Sequence, residues 1–175
     1  MGKRKKIYIG VDETNHGAYP ELFALVSSPF REDKIKTCKN KIRKHSAVIQ
    51  ELYPYTQRDF RYSIIQKIHY DKYGHEGLIV NLVPRMISDL NLSDYFSAGI
   101  YIDGLLGETQ KRSIEKILLA NSSLKEVRVT DVPKNGKNKT IQIIAFADCI
   151  ANFLQTKKFA ELNKPPLSKK LVDFV

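Results

Sequence analysis

Ile7 to Val11 is a run of five apolar or small residues that stops abruptly at two adjacent carboxylates, Asp12 and Glu13. Five such residues are too few for a secretory segment or a membrane span, so a reducing cytoplasm is the expected setting. They suit a buried β-strand that delivers its acids to a turn, here Asn15-His16-Gly17. A chain built around such a strand needs further strands beside it and helices over it.

Those partners are legible along the sequence. Glu21 to Ser28 (ELFALVSS) is a second apolar run, close enough to pair with the first as an antiparallel hairpin, and Pro29 ends it. From Glu32 to Tyr53 the residues Ile35, Cys38, Ile42, Ile49 and Leu52 recur at helical intervals, with Lys34, Lys36, Lys39, Lys41, Arg43 and Lys44 between them. That pattern predicts an amphipathic helix with a basic outer face. Phe60 to Ile68 reads as a third strand, with a helical turn as the other reading.

Leu78, Ile79, Leu82, Val83, Met86, Ile87 and Leu90 form the clearest helical stripe, in which Pro84 predicts a kink or a late start. Ala98 to Ile102 is a buried strand ending at Asp103-Gly104, Glu108 to Ala120 a helix, and Lys125 to Thr130 a strand. The Lys134 to Lys139 segment (KNGKNK) is a basic loop. Ile141 to Leu154 is apolar on nearly every face and predicts a buried helix. Strands alternating with helices in the second half imply parallel pairing, giving a mixed five-stranded sheet with helices on both faces. All 175 residues read as one domain, with 156–175 a surface tail.

Three places put acids where chemistry concentrates. Asp12 and Glu13 end one strand, and adjacent strand residues share a side only if the chain bends there. Asp103 ends another strand, and sites in open α/β sheets form beyond the carboxyl ends of neighbouring parallel strands. Asp148 lies in the apolar helix on a face with Ile141, Ile144, Ala145 and Ala151, where an ionised carboxylate needs a compensating cation or hydrogen bonds. Taken singly, the pair reads as a turn, Asp103-Gly104 as a turn, and Asp148 as an ion-pair partner. Together they predict a site for Mg²⁺ or Mn²⁺. Cys38 and Cys149 lack zinc or disulfide spacing, and no P-loop or Ser/His/Asp arrangement competes.

Charge points to the partner. Against 19 Asp plus Glu stand 29 Lys plus Arg, a formal +10 that suits a polyanion, with solvated basic surface as the plainer alternative. Candidate contacts to nucleic acid are Lys39, Arg43 and Lys44 of the basic helix, Arg58 and Arg61 amid Tyr53, Tyr55, Phe60 and Tyr62, and Lys134, Lys137 and Lys139 of the loop. Core packing accounts equally well for much of the aromatic set. His16, beside the acids, is a candidate for proton transfer or a phosphate contact, or else a turn histidine facing water.

IYIGVDETNHG resembles the first strand of the ribonuclease H-like nucleases, and most closely that of ribonuclease HII, where an apolar strand ends in Asp-Glu and a short Gly-containing turn. GIYIDG resembles the later strand that carries the third acid. The resemblance implies a ribonuclease H-like α/β fold in which Asp12, Glu13, Asp103 and Asp148 bind Mg²⁺ or Mn²⁺ and catalyse hydrolysis of RNA, RNA–DNA hybrid or DNA. Ribonuclease HII has a glycine-arginine-glycine turn where this chain has Asn15-His16-Gly17, and AFADCIA is more similar to the Ala-Asp helix of other ribonuclease H-like families. The sequence therefore reads as a divergent relative. A nucleic-acid-binding module that kept the fold without the chemistry is the alternative, and a strand-transfer enzyme is disfavoured because 175 residues leave no room for an accessory domain.

Overall fold

A computed structural model describes residues 5–14, 19–29, 59–132, 142–155, 157, 159–165 and 167–174. The expected basic helix over Glu32 to Tyr53 and the KNGKNK loop lie outside the described residues. Five strands, β1 (Lys6–Glu13), β2 (Glu21–Ser28), β3 (Asp59–Ile65), β4 (Ser97–Asp103) and β5 (Glu126–Val132), form one sheet in the order β3-β2-β1-β4-β5. β1 pairs antiparallel with β2 and parallel with β4, so the first strand is central. β3 is antiparallel to β2, and β5 parallel to β4. The mixed sheet expected from the sequence is thus present.

Side-chain alternation sorts the strands into two cores. Ile7, Ile9 and Val11 of β1, Phe23 and Leu25 of β2, and Ala98, Ile100 and Ile102 of β4 pack with Leu78, Leu82, Val83, Met86 and Ile87 of α1 (Lys67–Ser88) and with Ile114 and Leu118 of α2 (Glu108–Asn121). On the opposite face Leu22, Ala24, Val26, Phe60 and Tyr62 meet Ile143, Ala147, Ile150, Ala151 and Leu154 of α3 (Gln142–Gln155). Helices therefore cover both faces.

α1 departs from the expected break. Pro84 sits buried within it, and the non-helical residue is Gly74, with φ 65° and ψ 170°. A positive φ is open to glycine without strain, so the chain turns there and a second helical segment carries the apolar stripe.

Residues 156–175 were expected to run over the surface, and the structure corrects this. α4 (Phe159–Leu162) and a 3₁₀ turn at Leu167–Lys170 bury Leu162, Leu167 and Val172. The Val172 N–H donates to the Tyr62 carbonyl at 2.8 Å, the Ser63 hydroxyl to the Val172 carbonyl at 2.7 Å, and the Tyr62 hydroxyl to the Leu162 carbonyl at 3.0 Å. β3 is an edge strand whose free backbone groups need a partner, and this segment supplies one.

Gly10 fixes the height of α3 above β1. A Cβ at Gly10 would stand 2.8 Å from the Ile144 nitrogen and closer still to the Ile143 carbonyl. Backbone lies against backbone there, leaving a side chain no room to yield. Gly10→Ala should destabilise the protein by about 1–3 kcal/mol or more through overpacking. Urea unfolding measures this, and an unchanged midpoint would show that α3 does not rest on β1.

Candidate functional site

The carboxyl ends of β1 and β4 carry the first acids. Val11 is registered with Ile102, so Asp12 and Asp103 follow side by side on neighbouring parallel strands. Val11 and Ile102 face the α1 core, and alternation turns Asp12 and Asp103 to the α3 side. Asp148 comes from α3 itself.

Asp12 is buried at 8% exposure. Burial foremost, then the charges of Asp103, Asp148 and Glu13, push its carboxyl up to about 8, against a single opposing hydrogen bond from the Glu13 N–H at 2.8 Å. Among the four candidate site acids Asp12 is thus the buried one. Asp148, expected to be the buried one, is half-buried, and its Oδ1 accepts from the Asn152 side chain at 2.7 Å.

Glu13 does not join this face. Its two carboxylate oxygens each lie 3.2 Å from His75 Nε2, on the α1 side of the sheet. The hydrogen bond to Glu13 raises the imidazole's pKa above its usual value. His75 also stacks on Tyr70, whose hydroxyl donates to Glu21, so a polar group backs the acidic corner from behind. Sequence reasoning missed His75. The glycine beside it, Gly74, was the signal, since a break there releases the next side chain from the helical stripe.

Three other contacts hold the corner in shape. Lys111 Nζ donates to Asp131 Oδ1 at 2.9 Å, and the Leu106 N–H donates to Asp131 Oδ2 at 3.3 Å, pinning the loop that follows Asp103. Gly104 begins that loop at φ 99°, and its N–H donates to the Val132 carbonyl at 3.0 Å.

An all-carboxylate donor set suits a hard divalent cation. Among the described residues no three His, Cys, Asp or Glu side chains already close on one point. Mg²⁺ is commonly held by one or two carboxylates, with water and substrate phosphate completing its shell, so an open corner is compatible with it. The Thr14 hydroxyl, next along the strand, is buried and finds no partner among the described residues. Unpaired oxygen and mutually repelling carboxylates are both features that a bound cation would relieve.

The remaining sequence candidates fall in three groups. Lys39, Arg43, Lys44, Arg58, Lys134, Lys137, Lys139 and His16 lie outside the described residues. Arg61 differs from its expected place in a nucleic-acid surface: it is buried, donates to Asp59 at 2.8 Å and to the Phe60 and Asp89 carbonyls at 2.7 and 2.8 Å, and is paired through Nε with the Asp89 carboxylate. Its guanidinium ties β3 to the end of α1. Phe60 and Tyr62 are core residues.

No protein-family model matches the sequence, and no curated protein does. Solved structures do resemble it. The ribonuclease H2 of Pyrococcus horikoshii OT3 superposes with a TM-score of 0.60 at 15% identity, over 92% of this chain and 77% of that one. The ribonuclease HII of Archaeoglobus fulgidus, solved in complex with PCNA, gives 0.54 at 15% identity, over 90% and 76%. Among the described residues no helix is long and apolar enough to cross a membrane. Strand order, the paired acids at the ends of β1 and β4, and these superpositions converge on one architecture: the chain carries the ribonuclease H-like fold.

Proposed function

We propose that the protein is a divalent-metal-dependent nuclease hydrolysing phosphodiester bonds in RNA, RNA–DNA hybrid or DNA. The observation that carries this reading is Asp12, a buried carboxyl raised to about 8 beside Asp103 and Asp148 at the carboxyl ends of two central parallel strands. A carboxylate costs free energy there unless a cation compensates it. Asp12, Asp103 and Asp148 would hold Mg²⁺ or Mn²⁺ from the α3 face. Glu13, positioned by His75 from the opposite side, would contribute through its neighbouring backbone or a water.

Bound divalent ions supply an activated water and charge stabilisation for the leaving oxygen. The rest falls to the chain. Asp12 must lose its proton for ligation, the Asp131–Lys111 contact keeps the loop after Asp103 in place, and His16 is the candidate to move a proton or meet a phosphate. Lys39, Arg43, Lys44, Arg58, Lys134, Lys137 and Lys139 are proposed to steer and hold the polyanion, a role for which the buried Arg61 is unsuited. The alternative, a binding module without chemistry, is favoured by the lack of three converging donors among the described residues.

Asp12→Asn and Asp103→Asn should each reduce divalent-dependent cleavage of labelled RNA, DNA or hybrid to background while the circular dichroism spectrum is retained. Cleavage persisting in either variant sinks the assignment.

Proton linkage gives an independent test. The folded-state pKa of Asp12 lies above its unfolded value, so native protein holds a proton that the unfolded chain releases. The metal-free protein should therefore lose stability as pH rises from about 4 to about 8, and Asp12→Asn should flatten that loss. Mn²⁺ must displace the same proton below about pH 8, so its apparent affinity should rise up to about tenfold per pH unit between 6 and 7. Thermal melts in EDTA and with Mn²⁺ measure both trends. No stabilisation by Mn²⁺ at any pH would favour the binding module.

His75→Ala should leave the fold intact and, by freeing the Glu13 carboxylate behind the corner, weaken the metal response by less than the loss of about 10–100-fold typical of a residue that supports a direct ligand. Metal titrations of cleavage distinguish this from a general loss of stability.

A further inference from the structure

Among the described residues α3 covers β1, β2 and β3 on its face of the sheet and leaves β4 and β5 largely uncovered. Among the same residues the apolar core beneath it draws on β2 and β3, and from β4 and β5 Tyr101 alone packs against its edge. Val127 and Val129 face the other side, which leaves Arg128 and Thr130 of β5 beside Gly99 and Tyr101 of β4 on the α3 side. Tyr8 of β1 is registered with Gly99, and Gly99 with Arg128, forming one row across three strands. The next row contains Gly10, Tyr101 and Thr130. The row after that ends in Asp12 and Asp103.

Gly99 gives this face its shape. Tyr101 Cε2 and its hydroxyl oxygen both lie 3.5 Å from the point where a Cβ would stand, so the ring folds back along the strand over the glycine. Lys6 Cε reaches within 3.3 Å of the same point, and its Nζ stands 5.2 Å from the centre of the Tyr8 ring. Two half-buried tyrosines are thus gathered around a glycine floor, between the exposed cations Lys6 and Arg128. Glu126, exposed at the far end of β5, is the acid of that strand on this face.

We propose that this face is a binding track for single-stranded nucleic acid. Bases stack on Tyr101 and Tyr8, while Lys6 and Arg128 hold phosphates. Aromatic faces flanked by cations are the general means of gripping a strand without reading its sequence. Successive rows are about 6.6 Å apart along the strands, a step comparable with the repeat of an extended nucleotide backbone. The track runs directly to Asp12 and Asp103. Only its role in feeding a cleavage site rests on the nuclease reading; binding itself does not.

The test is fluorescence anisotropy of the full chain with labelled oligouridylate and oligothymidylate in EDTA, where cleavage cannot contribute. Tyr101→Ala and Tyr8→Ala should each raise Kd by about tenfold, and Tyr101→Phe should restore wild-type binding because the ring face is what matters. Arg128→Ala, at an exposed edge position that leaves the core untouched, should lower the slope of log K against log salt by about one. Unchanged Kd in the double tyrosine variant with an unaltered melting curve overturns the track. So does equal binding of a blunt duplex, an unchanged salt slope in Arg128→Ala, or failure of the wild-type protein to bind either oligonucleotide. Loss of binding in the tyrosine variants while wild type shows no divalent-dependent cleavage would support the track and reject the nuclease reading; the reverse result would do the opposite.

Discussion

The contact of Gly10 with the first turn of α3 sets the geometry of the acidic corner. Because Gly10 carries no side chain, the Ile143 carbonyl rests directly on the central strand. From that point β1 advances two residues to Asp12, about 6.6 Å, and α3 advances five residues to Asp148, about 7.5 Å. The two steps nearly match. Seating helix backbone on strand backbone therefore brings two acids from distant parts of the sequence to the same level, beside Asp103 on the adjoining strand. A larger residue at position 10 would lift Asp148 away from its neighbours without touching any acid.

Much of this was legible in the sequence because it depended on short-range pattern. The apolar runs before Asp12 and Asp103 mark strands, and their alternation with helical stripes gives the mixed sheet. What could not be read was sidedness. Alternation persists to the end of β1, so Asp12 and Glu13 face opposite ways and Glu13 finds His75. Burial was misassigned for a related reason. Asp148 looked stranded among apolar residues, yet a helix has flanks as well as a buried stripe, and Asp148 falls on a flank where Asn152 meets it. Asp12, which resembled an ordinary turn residue, is the one of the four candidate site acids that the fold buries.

Composition misled where tertiary contacts consume polar groups. Arg61 and its aromatic neighbours had the content of a nucleic-acid clamp, but β3 lies at a sheet edge and its side chains are used to close it. Burial opposes ionisation of Asp59, while hydrogen bonds from Lys170 and Arg61 hold its carboxyl below the usual range. That network joins β3 to α1 through Asp89 and to the C-terminal segment through Lys170. The Lys- and Pro-rich composition of residues 156–175 likewise concealed Leu162, Leu167 and Val172, whose spacing is too irregular to announce a helix or a strand. An edge needing cover was the missing information, and only the strand order provides it.

The charge distribution leaves the protein with opposed requirements. A formal +10 attracts phosphate from any direction, whereas Asp12, Asp103 and Asp148 repel it at the one place where the strand ends converge. In the metal-free protein burial and the neighbouring carboxylates favour the protonated form of Asp12, which would remove one negative charge from the corner. A divalent cation and that proton compete for the same carboxylate, so metal would convert a neutralised, closed-off acid into a positive point facing the polyanion. On the proposed nuclease reading, electrostatic attraction over the surface and selectivity at the corner would come from different residues: lysines and arginines would bring nucleic acid near, and the buried aspartate would make its approach to the strand ends depend on metal.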